Sequence, residues 1–209
     1  MKKTFSSLVH VNQRFQRSVN LLADQEEGAL LDSFLLQGSH LSCLNLISDY
    51  LVKTSQRAFT WTGPYGTGKS SLGLFLSGLV KGRESCFTKY TLSTENDEES
   101  RNSLHNFRNF LGNVDKWDVI TLVGRSGNLE KDFLVAVDSE EASLREGLPV
   151  FKKRLEEQNK GALIFIDELG KYLEGSEGNH NCYALQEIAE FFNRGKLSII
   201  FVGILHQSF

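Results

Sequence analysis

The chain has 209 residues, is 40% hydrophobic and carries a formal net charge of −3, with a pI near 6.0. A chain of this length can bury one core of ordinary size, and its composition argues against a fibrous repeat and against extensive disorder. The charge lacks the basic excess that would by itself indicate a nucleic-acid-binding protein, so nucleic acid stays an open but unsupported partner. Three cysteines without a CxxC pair argue against disulfides or a zinc site, and no segment reaches the ~20 apolar residues of a membrane span. We therefore expect a soluble, cytoplasmic protein.

Residues 1–56 form an N-terminal lead-in that ends in one helix packed on the core. Apolar residues at three- and four-residue spacing predict that helix from His40 to Lys53. The β-prone run from Arg57 to Thr62 predicts the first strand, and this run ends directly at a glycine. Apolar residues then recur at i, i+3, i+4 and i+7, which predicts a helix from Lys69 to Val80. The main domain is therefore expected over residues 57–209.

Residues 81–117 form an insertion-like segment with the least regular pattern in the chain. This segment contains an acidic cluster at residues 95–99. Thr94 and Asp97 resemble a capping arrangement, and carboxylates at a helix start complement the positive end of the helix dipole. An apolar stripe then predicts one helix from about 95 to 111. A solvated helix face explains the acidic cluster better than a metal or partner site does.

Strands and helices alternate again in the second half of the chain. Val119–Val123 predicts a strand, and the spacing of apolar residues predicts a helix around Leu148–Leu155. Ala162–Asp167 is apolar until its final carboxylate, as expected of a central parallel strand that is buried on both faces. A helix around Leu185–Phe192 then precedes a second buried strand, Leu197–Ile204. This alternation predicts an α/β fold with a mainly parallel central sheet.

A complete phosphate-loop motif lies between the first predicted strand and the helix that follows it. The segment GPYGTGKS fits the pattern GxxxxGK[ST] from Gly63 to Ser70. Its glycines let the backbone curl so that N–H groups point at a phosphate, and the helix N-terminus adds partial positive charge. Lys69 can reach the β and γ phosphates, and the Ser70 hydroxyl can bind Mg²⁺. The predicted nucleotide-binding residues are Gly63, Pro64, Tyr65, Gly66, Thr67, Gly68, Lys69, Ser70 and Ser71.

The last residues of two predicted strands complete the candidate site. Ligands of parallel α/β sheets lie beyond the carboxyl ends of the strands, so we expect Asp167 to face Ser70 across Mg²⁺. Glu168 can then orient or deprotonate the attacking water. His206 and Gln207 end the neighbouring strand and are candidate sensors of the γ phosphate, although a capping or solvated pair explains them equally well. The predicted catalytic residues are Glu168 and Lys69, and the predicted cofactors are ATP and Mg²⁺.

With these motifs in place, the sequence resembles the ASCE division of P-loop ATPases, which includes AAA+ and STAND proteins. The resemblance rests on the phosphate loop, on IFIDE at 164–168 and on an apolar strand that ends in a polar residue. Four strings also resemble bacterial ATP-binding proteins associated with antiviral defence, namely RSVNLLAD (17–24), GPYGTGKS (63–70), DELGKYLE (167–174) and GILHQSF (203–209).

This resemblance implies a three-layer P-loop NTPase sandwich that serves as the motor or switch of a larger assembly. It also implies that the Asp167 strand and the Leu197–Ile204 strand lie beside the phosphate-loop strand. AAA+ proteins continue to an arginine-finger helix, a fifth strand and a helical lid, whereas this sequence stops at Phe209. We therefore expect a fold that is incomplete at its C-terminus, in a fragment of a longer protein or a truncated ATPase. An arginine finger would come from self-association or from a partner protein, and Arg194 is the nearest candidate within the chain.

Other nucleotide-dependent classes compete with the ATPase interpretation. Asp167–Gly170 satisfies the DxxG pattern of GTPases, but a guanine-reading NKxD pattern is absent. Small-molecule kinases resemble chains whose phosphate loop lies near the N-terminus, and the LSGGQ-like signature of ABC ATPases is missing. A slow nucleotide-dependent switch without significant turnover stays open, as does a small-molecule kinase.

Overall fold

The structure, a computed structural model, describes residues 19–24, 31, 34–36, 38–174, 176–195 and 197–206. The strands within these ranges are β1 (Ala58–Gly63), β2 (Lys116–Val123), β3 (Lys160–Asp167) and β4 (Ile199–His206). The helices of at least four residues are α1 (Gly38–Lys53), α2 (Lys69–Val80), α3 (Glu84–Thr94), α4 (Glu98–Leu111), α5 (Leu129–Ala136), α6 (Leu144–Glu157), α7 (Gly170–Leu173) and α8 (Gly178–Arg194). None of the helices in the described part is long and apolar enough to cross a membrane.

The four strands form one parallel sheet in the order β1-β4-β3-β2. Gly63 at the end of β1 lies opposite His206 at the end of β4, and Val123 at the end of β2 lies opposite Asp167. The carboxyl ends of the strands therefore meet at one edge of the sheet. The expected position of β3 beside β1 is wrong, because β4 lies between these two strands and is the neighbour of β1 among the described strands.

Side chains of the central strands alternate between two apolar cores. On β3, Leu163 and Phe165 join the core formed with α1 to α4, whereas Ile164 and Ile166 join the core formed with α5 to α8. Strand β4 alternates in the same way, because successive side chains of a strand point to opposite faces. The continuous apolar run of β3 is thus explained by burial on both faces. The predicted α/β class with a parallel sheet is confirmed, and the helices lie in two layers around that sheet.

The insertion-like segment differs from its prediction at the helix boundaries. It holds two helices, α3 and α4, and the second begins at Glu98. The predicted pairing of Thr94 with Asp97 as a capping arrangement is wrong. Asp97 is itself the N-cap and accepts from the backbone N–H groups of Glu99 and Ser100, whereas Thr94 ends α3 and donates to Thr91 O. The sequence pattern also missed α5, whose start is capped by the side chain of Asn128.

A buried arginine fixes the position where β1 begins. Arg57 is 6% exposed, and its guanidinium donates to the carbonyl oxygens of Leu197 at 2.8 Å, Gln56 at 2.8 Å and Leu51 at 3.0 Å. These carbonyls belong to the end of α1, the segment before β1 and the segment before β4. Burial lowers the pKa of Arg57, and the ring of Phe110 lies 5.1 Å from its guanidinium carbon. This side chain therefore joins α1, β1 and β4, and positions the strand that leads into the loop from Gly63 to Ser70.

Candidate functional site

The loop between β1 and α2 has backbone conformations that depend on glycine. Gly66 and Gly68 have φ angles of 81° and 82°, in the left-handed region that other L residues rarely adopt. Gly68 is the last residue before α2, and its carbonyl accepts from Leu72 N at 2.8 Å in the first turn of that helix. The loop therefore leads directly into the N-terminus of α2, where backbone N–H groups of the first turn and the helix dipole favour binding of an anion.

The side chain of Lys69 turns back into this loop. Its Nζ donates to Gly63 O at 2.6 Å and to Pro64 O at 2.8 Å, and lies 3.3 Å from Thr67 Oγ1. Thr67 Oγ1 in turn donates to Pro64 O at 2.9 Å. The pKa of Lys69 is lowered because the side chain is partly buried, and the charge of Asp167 opposes this shift. The ammonium group thus lies inside the loop, and its hydrogen-bond partners among the described residues are neutral oxygens that an anionic ligand can outcompete.

Helix α1 supports the loop from outside through His40. The Nε2 atom of His40 lies 3.3 Å from Thr67 O, and a Cβ atom added at Gly68 would lie 3.0 Å from the same nitrogen. The His40 ring also packs against Phe34, with centroids 5.3 Å apart. No spacing pattern in the sequence predicts this contact, because His40 precedes Thr67 by 27 positions. His40 limits how far the loop can move toward α1.

Asp167 is the last residue of β3 and is 8% exposed. The pKa of Asp167 is raised, and burial of the carboxylate is the largest cause. The backbone N–H of Glu168, which donates to Asp167 Oδ1 at 3.0 Å, opposes this shift, as do the charges of His206 and Lys69. Asp167 and Lys69 are thus close enough for each charge to affect the other's pKa. Ser70 and Ser71 lie in the first turn of α2 and are partly buried. Two predicted halves of the site, Lys69 on the loop and Asp167 on β3, therefore come together at the carboxyl edge of the sheet.

Glu168 follows Asp167 but turns to a different partner. Its φ angle is 53°, in the left-handed region, and its carboxylate forms an ion pair with Lys171 of α7. The hydrogen bond from Lys171 to Glu168 raises the pKa of the lysine. An i,i+3 spacing is the one sequence feature that links these two residues. Asp167 and Glu168 therefore point to separate surroundings although they are adjacent in the chain.

The end of β4 brings His206 to the same edge. His206 Nε2 lies 3.8 Å from Asp167 Oδ1, and the imidazole ring stacks on the exposed ring of Tyr65 from the phosphate loop. His206 Nδ1 is buried without a hydrogen-bond partner among the described residues. The other candidate sensor, Gln207, lies outside the described residues.

A charged network that the sequence did not indicate follows β2. Arg125 Nε donates to Asp132 Oδ2 at 2.8 Å, and Tyr172 Oη donates to the same oxygen at 2.7 Å. These two donors hold the pKa of Asp132 below its usual range, with Arg125 the larger cause. The buried amide of Asn181 then fixes the loop, because it accepts from Leu129 N at 2.9 Å and donates to Gly127 O at 2.8 Å. The loop after β2 is therefore anchored to α5, α7 and α8.

In the described part of the chain, a divalent cation would need further oxygen ligands from a bound molecule or from water. Among the described residues, no three His, Cys, Asp or Glu side chains cluster in a way that could hold a metal ion. The Ser70 hydroxyl and the Asp167 carboxylate are oxygen donors of the kind that Mg²⁺ accepts, and Mg²⁺ commonly takes its other ligands from phosphates and water. The donor set thus suits an ion that arrives with a phosphorylated ligand.

No protein-family model matches the sequence, and no curated protein matches it significantly.

Proposed function

We propose that this protein binds ATP with Mg²⁺ at the loop from Gly63 to Ser70 and hydrolyses it. The observation that carries the proposal is the position of Lys69, whose ammonium group lies inside a glycine-rich loop at a helix N-terminus, within electrostatic range of Asp167. Loop N–H groups and Lys69 are suited to the β and γ phosphates, because both are positive partners in a fixed geometry. ATP is preferred over GTP because the sequence lacks a guanine-reading pattern.

The roles of the remaining residues follow from their environments. Asp167 is buried and lies near Lys69, so its carboxylate and the Ser70 hydroxyl are the groups that would hold Mg²⁺, which neutralises phosphate charge. Glu168 is partly exposed and can orient or deprotonate water once it leaves Lys171. His206 contacts both Tyr65 and Asp167, which suits a residue that responds to an occupied loop.

The proposed family is the AAA+/STAND-like part of the ASCE division, and the proposed context is a larger assembly, with antiviral defence as its setting. The support is the similarity of the four strings described above, together with a parallel sheet whose carboxyl edge carries the motif residues. In such an assembly a second copy or a partner protein supplies an arginine to the γ phosphate. That contact can be worth ~10³ to 10⁵ in rate.

One observation favours a slow nucleotide switch as a second candidate. The ion pair with Lys171 holds the Glu168 carboxylate beside α7, so the carboxylate is not free to orient an attacking water. If that pair persists with nucleotide bound, the protein would hold ATP for long periods, and the bound state itself would be the signal. Steady-state phosphate release with ATP and with GTP distinguishes the two candidates.

The decisive experiment measures Mg-ATP binding by calorimetry for the parent, Lys69→Ala and Lys153→Ala. Lys153 is an exposed lysine of α6, so its removal controls for the loss of one positive charge. We expect Lys69→Ala to weaken binding by about 1.5 to 3 kcal/mol, the contribution of a charge-assisted contact, and Lys153→Ala to bind as the parent does. Equal affinity of all three proteins would refute the phosphate-loop assignment.

A further inference from the structure

The turn that carries Glu168 is held in a strained conformation. Glu168 has a φ of 53°, a conformation that is unfavourable for a residue with a Cβ and persists only where surrounding contacts impose it. The backbone N–H of the next residue, Leu169, donates to Ile204 O of β4 at 2.9 Å. Contacts to β4 thus fix one side of the turn.

Gly124, the first residue after β2, contacts the opposite side of the turn that carries Glu168. Its N–H donates to Asp167 O at 2.7 Å, so its backbone lies directly against the turn. A Cβ atom added at Gly124 would lie 2.0 Å from Glu168 O and 2.7 Å from Glu168 C. Both of these are backbone atoms, so no side-chain rotation can relieve the overlap. The turn is therefore enclosed between β4 and Gly124.

We propose that Gly124 is a positioning residue for Glu168, an inference that rests on the proposed hydrolysis. The missing side chain of Gly124 lets β2 approach the peptide after Glu168, and this approach holds Glu168 in the left-handed conformation. The conformation separates the two carboxylates, with Asp167 directed to Lys69 and His206 and Glu168 directed outward from the strand end. Gly124 touches no reacting atom and acts only through the Glu168 backbone.

A side chain at position 124 would affect Glu168 more than Asp167. To reach even 3.0 Å from the new Cβ, Glu168 O must move by about 1 Å, whereas Asp167 O already lies 3.1 Å away. Misplacement of a catalytic group by about 1 Å can cost on the order of 100-fold in rate. Because Asp167 and the phosphate loop stay in place, nucleotide binding should change little. Gly124→Ala should therefore lower kcat by about 10- to 100-fold and leave KM for Mg-ATP within about twofold.

The test compares kcat, KM and Mg-ATP affinity for the parent, Gly124→Ala and Gly127→Ala. Gly127 lies in the same loop, but a Cβ there would meet only the flexible Arg125 side chain at 4.0 Å, so the parental kcat is expected. Thermal unfolding shows whether each variant is folded. If Gly124→Ala does not fold, Gly203→Ala replaces it, because its Cβ would lie 2.7 Å from the Leu169 side chain and press on the same turn from β4. A loss of several-fold in kcat at parental KM is then expected.

Parental kcat in folded Gly124→Ala, or in Gly203→Ala where that variant replaces it, would overturn the inference while leaving the proposed ATPase intact. An equal loss of kcat in Gly124→Ala and Gly127→Ala would also overturn it, since the effect would then belong to the loop in general. A parent protein that binds Mg-ATP without turnover would refute the proposed hydrolysis and, with it, a catalytic position for Glu168.

Discussion

The phenol ring of Tyr65 lies parallel to the imidazole ring of His206, with an interplanar angle of 3° and ring centroids 4.2 Å apart. Tyr65 belongs to the loop between β1 and α2 and is 70% exposed, whereas His206 ends β4 and lies beside Asp167. The stack therefore covers the imidazole from solvent and joins the outer part of the loop to the neighbouring strand. Gly63 and His206 are also paired in the sheet, so the loop leaves β1 at the level where β4 ends.

Replacement of Tyr65 tests the contribution of this stack. Tyr65→Leu should lower the free energy of unfolding by about 0.5 to 1 kcal/mol, because aromatic pairs contribute about that much beyond burial. Tyr65→Phe keeps the ring and should differ from the parent by less than half of that amount. Urea denaturation measures both values. Equal stability of the Leu and Phe variants would mean that the stack does not hold the loop.

The two carboxylates at the end of β3 should separate in their kinetic roles. Asp167→Asn should weaken Mg²⁺-dependent ATP binding, since it removes the negative charge that lies near Lys69. Glu168→Gln should bind ATP as the parent does and turn over ~10² to 10⁴ times more slowly, the usual contribution of a general base. Single-turnover hydrolysis and calorimetry measure these effects, and the exposed Glu174→Gln serves as the control. Hydrolysis by Glu168→Gln at the parental rate would favour the switch or kinase alternative.

The raised pKa of Asp167 predicts a pH-dependent stability. Burial disfavours the charged form, so the folded state binds this proton more tightly than the unfolded state, in which the pKa is near 3.8. The stability that Asp167 contributes is thus fully present below that value and is lost as the pH rises through the folded-state pKa. Asp167→Asn should therefore be more stable than the parent at neutral pH, and the difference should vanish in acid.

Denaturant unfolding from pH 3 to pH 7, about the range over which the acid titrates, measures the effect of Asp167→Asn. Asp115→Asn, at an exposed aspartate before β2, should follow the parent across this range. Lower stability of Asp167→Asn at neutral pH would show that contacts of the charged form outweigh its burial.

Arg57 should contribute more to stability than a surface arginine. Arg57→Ala removes the donor from the buried carbonyl oxygens of Leu51 and Leu197 and from the partly buried Gln56 O, and each unsatisfied buried group costs about 1 to 3 kcal/mol. We expect a loss of about 2 kcal/mol or more in the free energy of unfolding. Arg101→Ala, at an exposed arginine of α4, should lose less than about 0.5 kcal/mol. Similar losses in both variants would show that water or other groups satisfy these carbonyls when Arg57 is removed.

Local patterns were sufficient to predict most elements and the α/β class. Helix α2 has the predicted bounds, and the apolar run that ends at Asp167 is the central strand it was expected to be. These features depend on neighbouring residues, because the period of apolar side chains follows from the geometry of a helix or strand. The missed boundary between α3 and α4 also has a local cause, since Asp97 caps the second helix itself.

The sequence by itself determined the phosphate-loop motif, the parallel α/β class and the placement of Asp167 at a strand end. Only the tertiary structure decided that β4 lies between β1 and β3, that Tyr65 stacks on His206 and that Gly124 encloses the Glu168 turn. Each of these contacts joins residues 37 or more positions apart. Their geometry depends on strand order and on the close approach of backbones, and neither is encoded in the spacing of residues along one segment.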